Sequence, residues 1–551
     1  MKCHLSKILT LCASFFLLSC GISKSVRHEP IFDTHRSLPE VTKVSDTLWF
    51  SGENFFIKNK QGLWELSIRG DAQQLGLLNG ALTQDLLRHQ EAVFFSKVEE
   101  IVPSKTKQFF LRQFLKWYNR KLYLHVPEEY KTEIYGLSQY ASEDFNHIAP
   151  KYLRQLYLHA AHDIGHALQD LALVGCSSLA VWDDNSEDGE LLIGRNFDFY
   201  AGDDFAKNKV VAFVRPENGY AFVSVTWPGM IGVVSGMNTA GLTVTMNAGK
   251  SDMPLKAKTP VSILARKILQ YAQNTEEAIA IAQNTEVFVS ESIMIGSGSE
   301  KTAILLEISP EKFDVFKVEN QTHLVCSNHF QSEAYLDDEK NLQHIVESHS
   351  QYRFDRLIEH LDEKQRLNHL SMAEILRDVH GLHGSDIGYG NEKALNQLLG
   401  HHAVIFKPES LTMWVSTAPY QLGEFVCYDL NEIFNSGIDG IRTLGKDSKN
   451  IPEDTFMYSE DFKKYELYRD LNRQVDKALG NKKLTLTQDF IESYQSSNLE
   501  LWVVYYKIGK YYMDRGFDRA AKREFEKALS KEITTLSDRV QIEKYLKKIS
   551  Q

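Results

Sequence analysis

The stretch "LVGCSSLAVWDDNSEDGELLIGRNFDFY", Leu173 to Tyr200, decides how the chain is read. Two runs rich in apolar and aromatic residues, CSSLAVW and ELLIGRNFDF, are joined by the turn-forming DDNSEDG, which predicts two consecutive strands. Cys176 opens the first strand. A lone buried cysteine is ordinarily a small hydrophobe, but three features set this one apart. Gly175 precedes it, a residue able to take a strained backbone beside a reacting peptide bond. The cysteine begins its strand instead of lying inside it. Arg195 and Asp198 close the next strand. Cutting Gly175–Cys176 would give Cys176 a free α-amine, a base of roughly neutral pKa beside its own thiol. A nearby arginine would favour the thiolate and a carboxylate would hold the amine. In a regular strand Arg195 and Asp198 point to opposite faces, so both reach Cys176 only if the strand bends or ends there.

The rest of the composition narrows the class. The chain has 551 residues, enough for three or four folding units of about 150 residues. It is 43% hydrophobic and 11% aromatic, which fits a globular core. A net charge of -11 without a Lys/Arg stripe argues against nucleic acid as partner. The apolar run ILTLCASFFLLS is of signal length and too short to span a bilayer. It ends at Ser19-Cys20 in the manner of a bacterial lipobox, so we expect cleavage before Cys20, lipidation of its thiol and attachment to a membrane outside the cytoplasm. Cys176, Cys326 and Cys427 then remain, an odd number without paired spacing, which disfavours a disulfide scaffold or a zinc ribbon.

Along the chain, residues 1–19 read as signal and 20–45 as a polar tether. Residues 46–175 are mainly helical after a short strand region, with Asp71 as the N-cap of the first helix. Residues 176–435 hold strand runs separated by helical blocks at 259–284 and 350–400, the pattern of sheet layers covered by helices. Residues 436–551 form a helical tail. Within it, YYKIGKYYMDRGFDRAAKREFEKAL resembles a single tetratricopeptide repeat, with Gly509, Tyr512, Gly516, Ala521, Phe525 and Ala528 near the positions where two helices pack closely. One repeat cannot bury a solenoid core, so the tail should pack on the body or on the last helix.

GCSSLAVW…GELLIGRNFDF, GMNTAGLTVTMNAG, VCSNHF and QYRFDRL, taken in this order, resemble the N-terminal-nucleophile hydrolases of the penicillin acyltransferase type, with choloylglycine hydrolases and acid ceramidase more distant. The resemblance covers about residues 45 to 435. It implies an α+β fold with a four-layer αββα sandwich, and self-cleavage between Gly175 and Cys176. It also implies a thioester on Cys176 during attack on a non-peptide amide that joins an acyl group to an amine or amino acid. By the same resemblance Arg195 and Asp198 flank the nucleophile, Asn247 and Asn328 donate to the oxyanion, and Arg353 supports the site. Turn formation is the competing role for the two asparagines. No cofactor and no metal are implied; the partners are a small N-acyl substrate and, through Cys20, a membrane.

Two other classes of function compete. The helix LHAAHDIGHALQD places His159, His162 and His166 on one stripe, and HDIGH has a metal-binding i, i+4 spacing. It carries Asp where zinc proteases have Glu, and helix-face histidines are more often packed than metal-bound. His401 and His402 open a strand, where neighbours face opposite ways. The third class is a non-catalytic surface lipoprotein that binds a protein through its tail.

Overall fold

A computed structural model describes residues 22–160, 174–199, 202–250, 257–364, 366–435 and 441–550. The expected signal peptide, lipidated Cys20, His162 and His166 lie outside the described residues. Seventeen strands are described, in chain order β1 Thr42–Ser45, β2 Leu48–Ser51, β3 Asn54–Lys58, β4 Trp64–Gly70, β5 Val174–Val181, β6 Leu192–Phe199, β7 Val210–Pro216, β8 Phe222–Thr226, β9 Ser235–Asn238, β10 Leu242–Ala248, β11 Glu291–Ser297, β12 Thr302–Ile308, β13 Phe313–Phe316, β14 His323–Cys326, β15 His402–Lys407, β16 Thr412–Ser416 and β17 Phe425–Asp429. They form an eleven-stranded sheet, β1-β2-β3-β4-β7-β8-β9-β10-β11-β12-β13, and a six-stranded sheet, β14-β5-β6-β15-β16-β17. Neighbours pair antiparallel except β4 and β7, which run parallel.

Strand alternation builds the layers. In β7, Val211 and Phe213 enter the core between the sheets, whereas Val210, Ala212 and Val214 face the opposite way. In β15, Val404 and Phe406 enter the same central core, and Ala403 and Ile405 turn outward. Helices Ala72–Ile101, Glu128–Ser138 and Val261–Tyr271 cover the outer face of the larger sheet through Leu75, Ile134 and Leu264. Helices Ser350–Glu363 and His369–Leu376 cover the smaller sheet through Leu357 and Met372. The result is an αββα sandwich. Asp71 caps the first long helix, its side chain accepting from Gln74 N at 2.9 Å.

One expectation is corrected here and another is met. The block 350–400 is helical only to Leu376; from there the chain runs irregularly to β15, because Gly384, Gly388 and Gly390 sit at positive φ and break helical geometry. The tail does pack on the body, and that irregular segment is where it does so. Its helices Glu460–Gly480, Gln488–Ser496, Trp502–Met513, Asp518–Leu529 and Leu536–Ile549 share a core with Leu398 and Leu422. Tyr465 Oη donates to Leu398 O at 2.9 Å, and Asn391 Nδ2 donates to Glu532 O at 2.9 Å. Within the tail Gly509 gives Phe525 its room: a Cβ there would stand 2.6 Å from the ring.

Candidate active site

Cys176 lies in β5, in register with Phe197 of β6, and Gly175 is in register with Asp198. The strand runs unbroken through the Gly175–Cys176 bond. Gly175 is not a left-handed residue. Its lack of a side chain serves packing: a Cβ there would fall 2.5 Å from Gln397 Nε2 and 3.2 Å from His349 Cε1. The backbone strain that the sequence reading invoked at Gly175 is not seen; what the position shows instead is close packing.

Each polar atom of Cys176 has its own partner. The thiol accepts from Arg195 Nη2 at 3.6 Å. The main-chain nitrogen donates to Asn328 Oδ1 at 3.0 Å. The carbonyl accepts from Arg353 Nη1, which also donates to Ser177 Oγ at 2.8 Å. Arg353 Nη2 donates to Asn328 Oδ1, so the guanidinium ties the carbonyl and the nitrogen of one residue together. β6 stays regular, and Arg195 and Asp198 do point to opposite faces: Arg195 to the thiol in the interior, Asp198 to the side of Gly400.

All six candidate residues, Cys176, Arg195, Asp198, Asn247, Asn328 and Arg353, are at most 4% exposed. Burial pushes the Cys176 thiol up, and Arg195 pulls it back down. Burial lowers both guanidinium groups without a change of charge at ordinary pH. Asp198 is raised from 3.8 to about 7 by burial, opposed by Arg353 and Arg195. Neither of its carboxyl oxygens has a hydrogen-bond partner among the described residues. They border Gly400, where a Cβ would stand 2.3 Å from Asp198 Oδ1 and 2.0 Å from Gln421 Nε2.

The asparagines are placed differently from the expectation. Asn247 Nδ2 donates to Cys326 O and Ser327 O, both at 3.1 Å, and Asn247 Oδ1 accepts from Ser178 Oγ at 2.9 Å. Asn328 Nδ2 donates to Ala248 O at 3.0 Å. In the intact chain both amide nitrogens are therefore spent on main-chain carbonyls that join β10 to the segment after β14. Asn328 meets the nucleophile with its carbonyl.

A buried polar chain behind Arg195 escapes the sequence reading. Arg195 Nη1 donates to Ser235 Oγ at 2.6 Å, Ser235 Oγ lies 2.9 Å from His402 Nε2, and His402 Nδ1 lies 2.8 Å from His401 Nδ1. A guanidinium only donates, so the Ser235 proton goes to His402 Nε2. His402 then carries its own proton on Nδ1 and gives it to His401. Both imidazoles are neutral, since burial holds His401 down at about 3 and His402 well below its ordinary value. The two rings meet, contrary to the alternation expected of adjacent strand residues, because His401 precedes β15 and only His402 belongs to it. Alternation cannot find such a pair; the doublet HH before an apolar run was its only trace. Among the described residues no group of three His, Cys, Asp or Glu side chains is arranged to hold a metal ion.

The structure thus brings together a strand-borne cysteine, an arginine on its thiol and an acceptor on its main-chain nitrogen. The model for the acyl-coenzyme A:6-aminopenicillanic acid acyl-transferase family matches residues 184–419. Over that segment the chain is similar to the penicillin acyltransferase family; Arg195, Asp198, Asn247, Asn328 and Arg353 lie inside it, and Cys176 lies just before it. An uncharacterized protein of Archaeoglobus fulgidus is 26% identical over 274 residues, 46% of this chain and 45% of its own length. Protein dcd1B of Dictyostelium discoideum is 22% identical over 270 residues, 46% of this chain and 51% of its own. The matched segment thus spans about half of each relative. Two solved structures are also similar. A Caenorhabditis elegans ortholog of N-acylethanolamine-hydrolyzing acid amidase has 19% identity and a TM-score of 0.32, over 42% of this chain and 93% of its own. A variant of the conjugated bile acid hydrolase of Clostridium perfringens has 16% identity and a TM-score of 0.33, over 49% and 96%.

Proposed function

We propose that the protein is made as a single chain, cuts itself between Gly175 and Cys176, and then hydrolyses or transfers the acyl group of a small N-acyl amide through a thioester on Cys176. The observation that carries this reading is the treatment of Cys176 as a future terminus. Its nitrogen already has an acceptor in Asn328 at 3.0 Å, its thiol has a cation in Arg195 at 3.6 Å, and a Cβ on the residue before it would press on the end of Gln397. A structural cysteine inside a strand also needs an acceptor for its main-chain nitrogen, but it needs no guanidinium on its thiol.

In self-cleavage the thiol attacks the Gly175 carbonyl carbon; the C–S bond forms, the C–N bond breaks and the proton passes to the Cys176 nitrogen. Water then hydrolyses the ester and frees the thiol. In turnover the α-amine, held by Asn328 Oδ1, takes the thiol proton as general base. Arg195 stabilises the thiolate, with its guanidinium braced by Ser235, Val234 O and Met246 O. The thiolate attacks the amide carbonyl, the amine leaves with the proton, and water or a second amine resolves the thioester. Arg353 fixes the Cys176 carbonyl. Asp198, the register partner of Gly175, turns to the freed amine once that residue is released. The oxyanion role expected of Asn247 and Asn328 requires each amide to leave the carbonyls it now holds. Export and acylation at Cys20 belong to the same proposal.

The test is an acid-quenched turnover with N-acyl amides that vary in acyl group and amine, followed by peptide mass analysis. An acyl adduct on the peptide that begins at Cys176, absent in Cys176→Ala, is the expected result. Turnover at a normal rate by Cys176→Ala would sink the reading.

A further inference from the structure

Helix Lys105–Tyr118, KTKQFFLRQFLKWY, is built the wrong way round for a soluble surface. A helix on a protein face ordinarily turns its apolar stripe inward. Here Gln108 and Tyr118 are the buried positions, while Phe109, Phe110 and Phe114 are 50%, 65% and 51% exposed. Ile101 before the helix and Leu124 after it are also exposed, at 44% and 63%. At 100° per residue Phe109, Phe110, Phe114 and Trp117 fall within one arc, with Lys105 and Lys116 along one edge and Lys107 along the other.

Charge says what covers this face. Residues 102–124, VPSKTKQFFLRQFLKWYNRKLYL, hold Lys105, Lys107, Arg112, Lys116, Arg120 and Lys121 and no Asp or Glu, in a chain of net charge -11. Lys105 pairs with Glu99; Lys107, Arg112 and Lys116 have no ion pair among the described residues. An aromatic ridge rimmed by cations, two of them without an ion pair among the described residues, matches a bilayer carrying anionic headgroups, where rings enter the acyl boundary and cations stay at the phosphates. The helix is fixed to the body behind that face: Tyr118 packs edge-on against Phe288 at 6.1 Å, and its carbonyl accepts from Ala257 N at 3.4 Å.

We propose that helix Lys105–Tyr118 lies on the surface of an anionic lipid bilayer, with Phe109, Phe110 and Phe114 inserted, as a contact separate from any acyl group on Cys20. The test uses the full chain with vesicles of phosphatidylcholine alone or mixed with phosphatidylglycerol. Amide exchange across 105–118 should slow when the mixed vesicles are added and change little with phosphatidylcholine alone. Phe109→Ser/Phe110→Ser/Phe114→Ser should lower partitioning onto mixed vesicles by about tenfold or more. Lys107→Glu, at an exposed position, should lower it by about fivefold or more. Because every variant keeps the same N-terminus, any N-terminal attachment is common to all. Unchanged exchange across 105–118 on mixed vesicles, or triple-variant partitioning equal to wild type, overturns the proposal and assigns the face to a protein partner.

Discussion

Asp198→Asn should make the fold more tolerant of neutral pH while it disables the enzyme. Burial holds the Asp198 carboxyl at about 7, against 3.8 for the same group in water, and neither oxygen has a partner to repay desolvation. The sign follows from proton counting. Between pH 3.8 and about 7 the unfolded chain has released this proton and the folded chain keeps it, so stability falls as pH rises through that window. Holding the carboxyl at about 7 instead of 3.8 is worth roughly 4 kcal/mol at full effect, of which roughly 2 kcal/mol is already spent at pH 5. The remaining loss, about 2 kcal/mol between pH 5 and 7.5, belongs to Asp198 and disappears in Asp198→Asn. Urea unfolding at both pH values, with Cys176→Ala as parent so that every molecule is one chain, reads the difference as a change in midpoint between parent and Cys176→Ala/Asp198→Asn. The same pH dependence in both proteins would refute the assignment of a raised, unpaired carboxyl. In the otherwise wild-type chain, the substitution should also reduce turnover by about 100-fold or more.

Arg195→Lys should slow iodoacetamide alkylation of Cys176 at pH 7 by about tenfold, since one ammonium cannot serve the thiol, Ser235 Oγ and two main-chain carbonyls as the guanidinium does. An unchanged alkylation profile against pH would show that Arg195 does not set the thiol. A chain ending near residue 440 should lose self-cleavage as well as stability. The tail holds Leu398 and Asn391 of the segment whose Gln397 borders Gly175. A soluble truncation that still cleaves at wild-type rate would separate the tail from the site.

Much of this was legible in the sequence because local chemistry carried it. Gly175-Cys176 at the head of a strand, Arg195 and Asp198 at the end of the next, and strand runs between helical blocks were enough to predict the layered sheets and the approach of Arg195 to the Cys176 thiol. Asp71 as a cap is a purely local signal, and the structure bears it out. What failed to show was set by packing across distance. The amide orientations of Asn247 and Asn328 depend on carbonyls 79–80 residues away. The Ser235–His402 contact spans 167 residues. The use of Gly175 as clearance for Gln397 depends on an irregular segment that composition alone read as helix.

The self-cleavage itself is most directly tested by the intact mass of purified wild type beside Cys176→Ala. Our account predicts two polypeptides from wild type, one ending at Gly175 and one starting at Cys176, and a single chain from Cys176→Ala. An active wild-type protein recovered as one chain that contains both Gly175 and Cys176 would contradict it, and the base for Cys176 would then have to be sought elsewhere in the site.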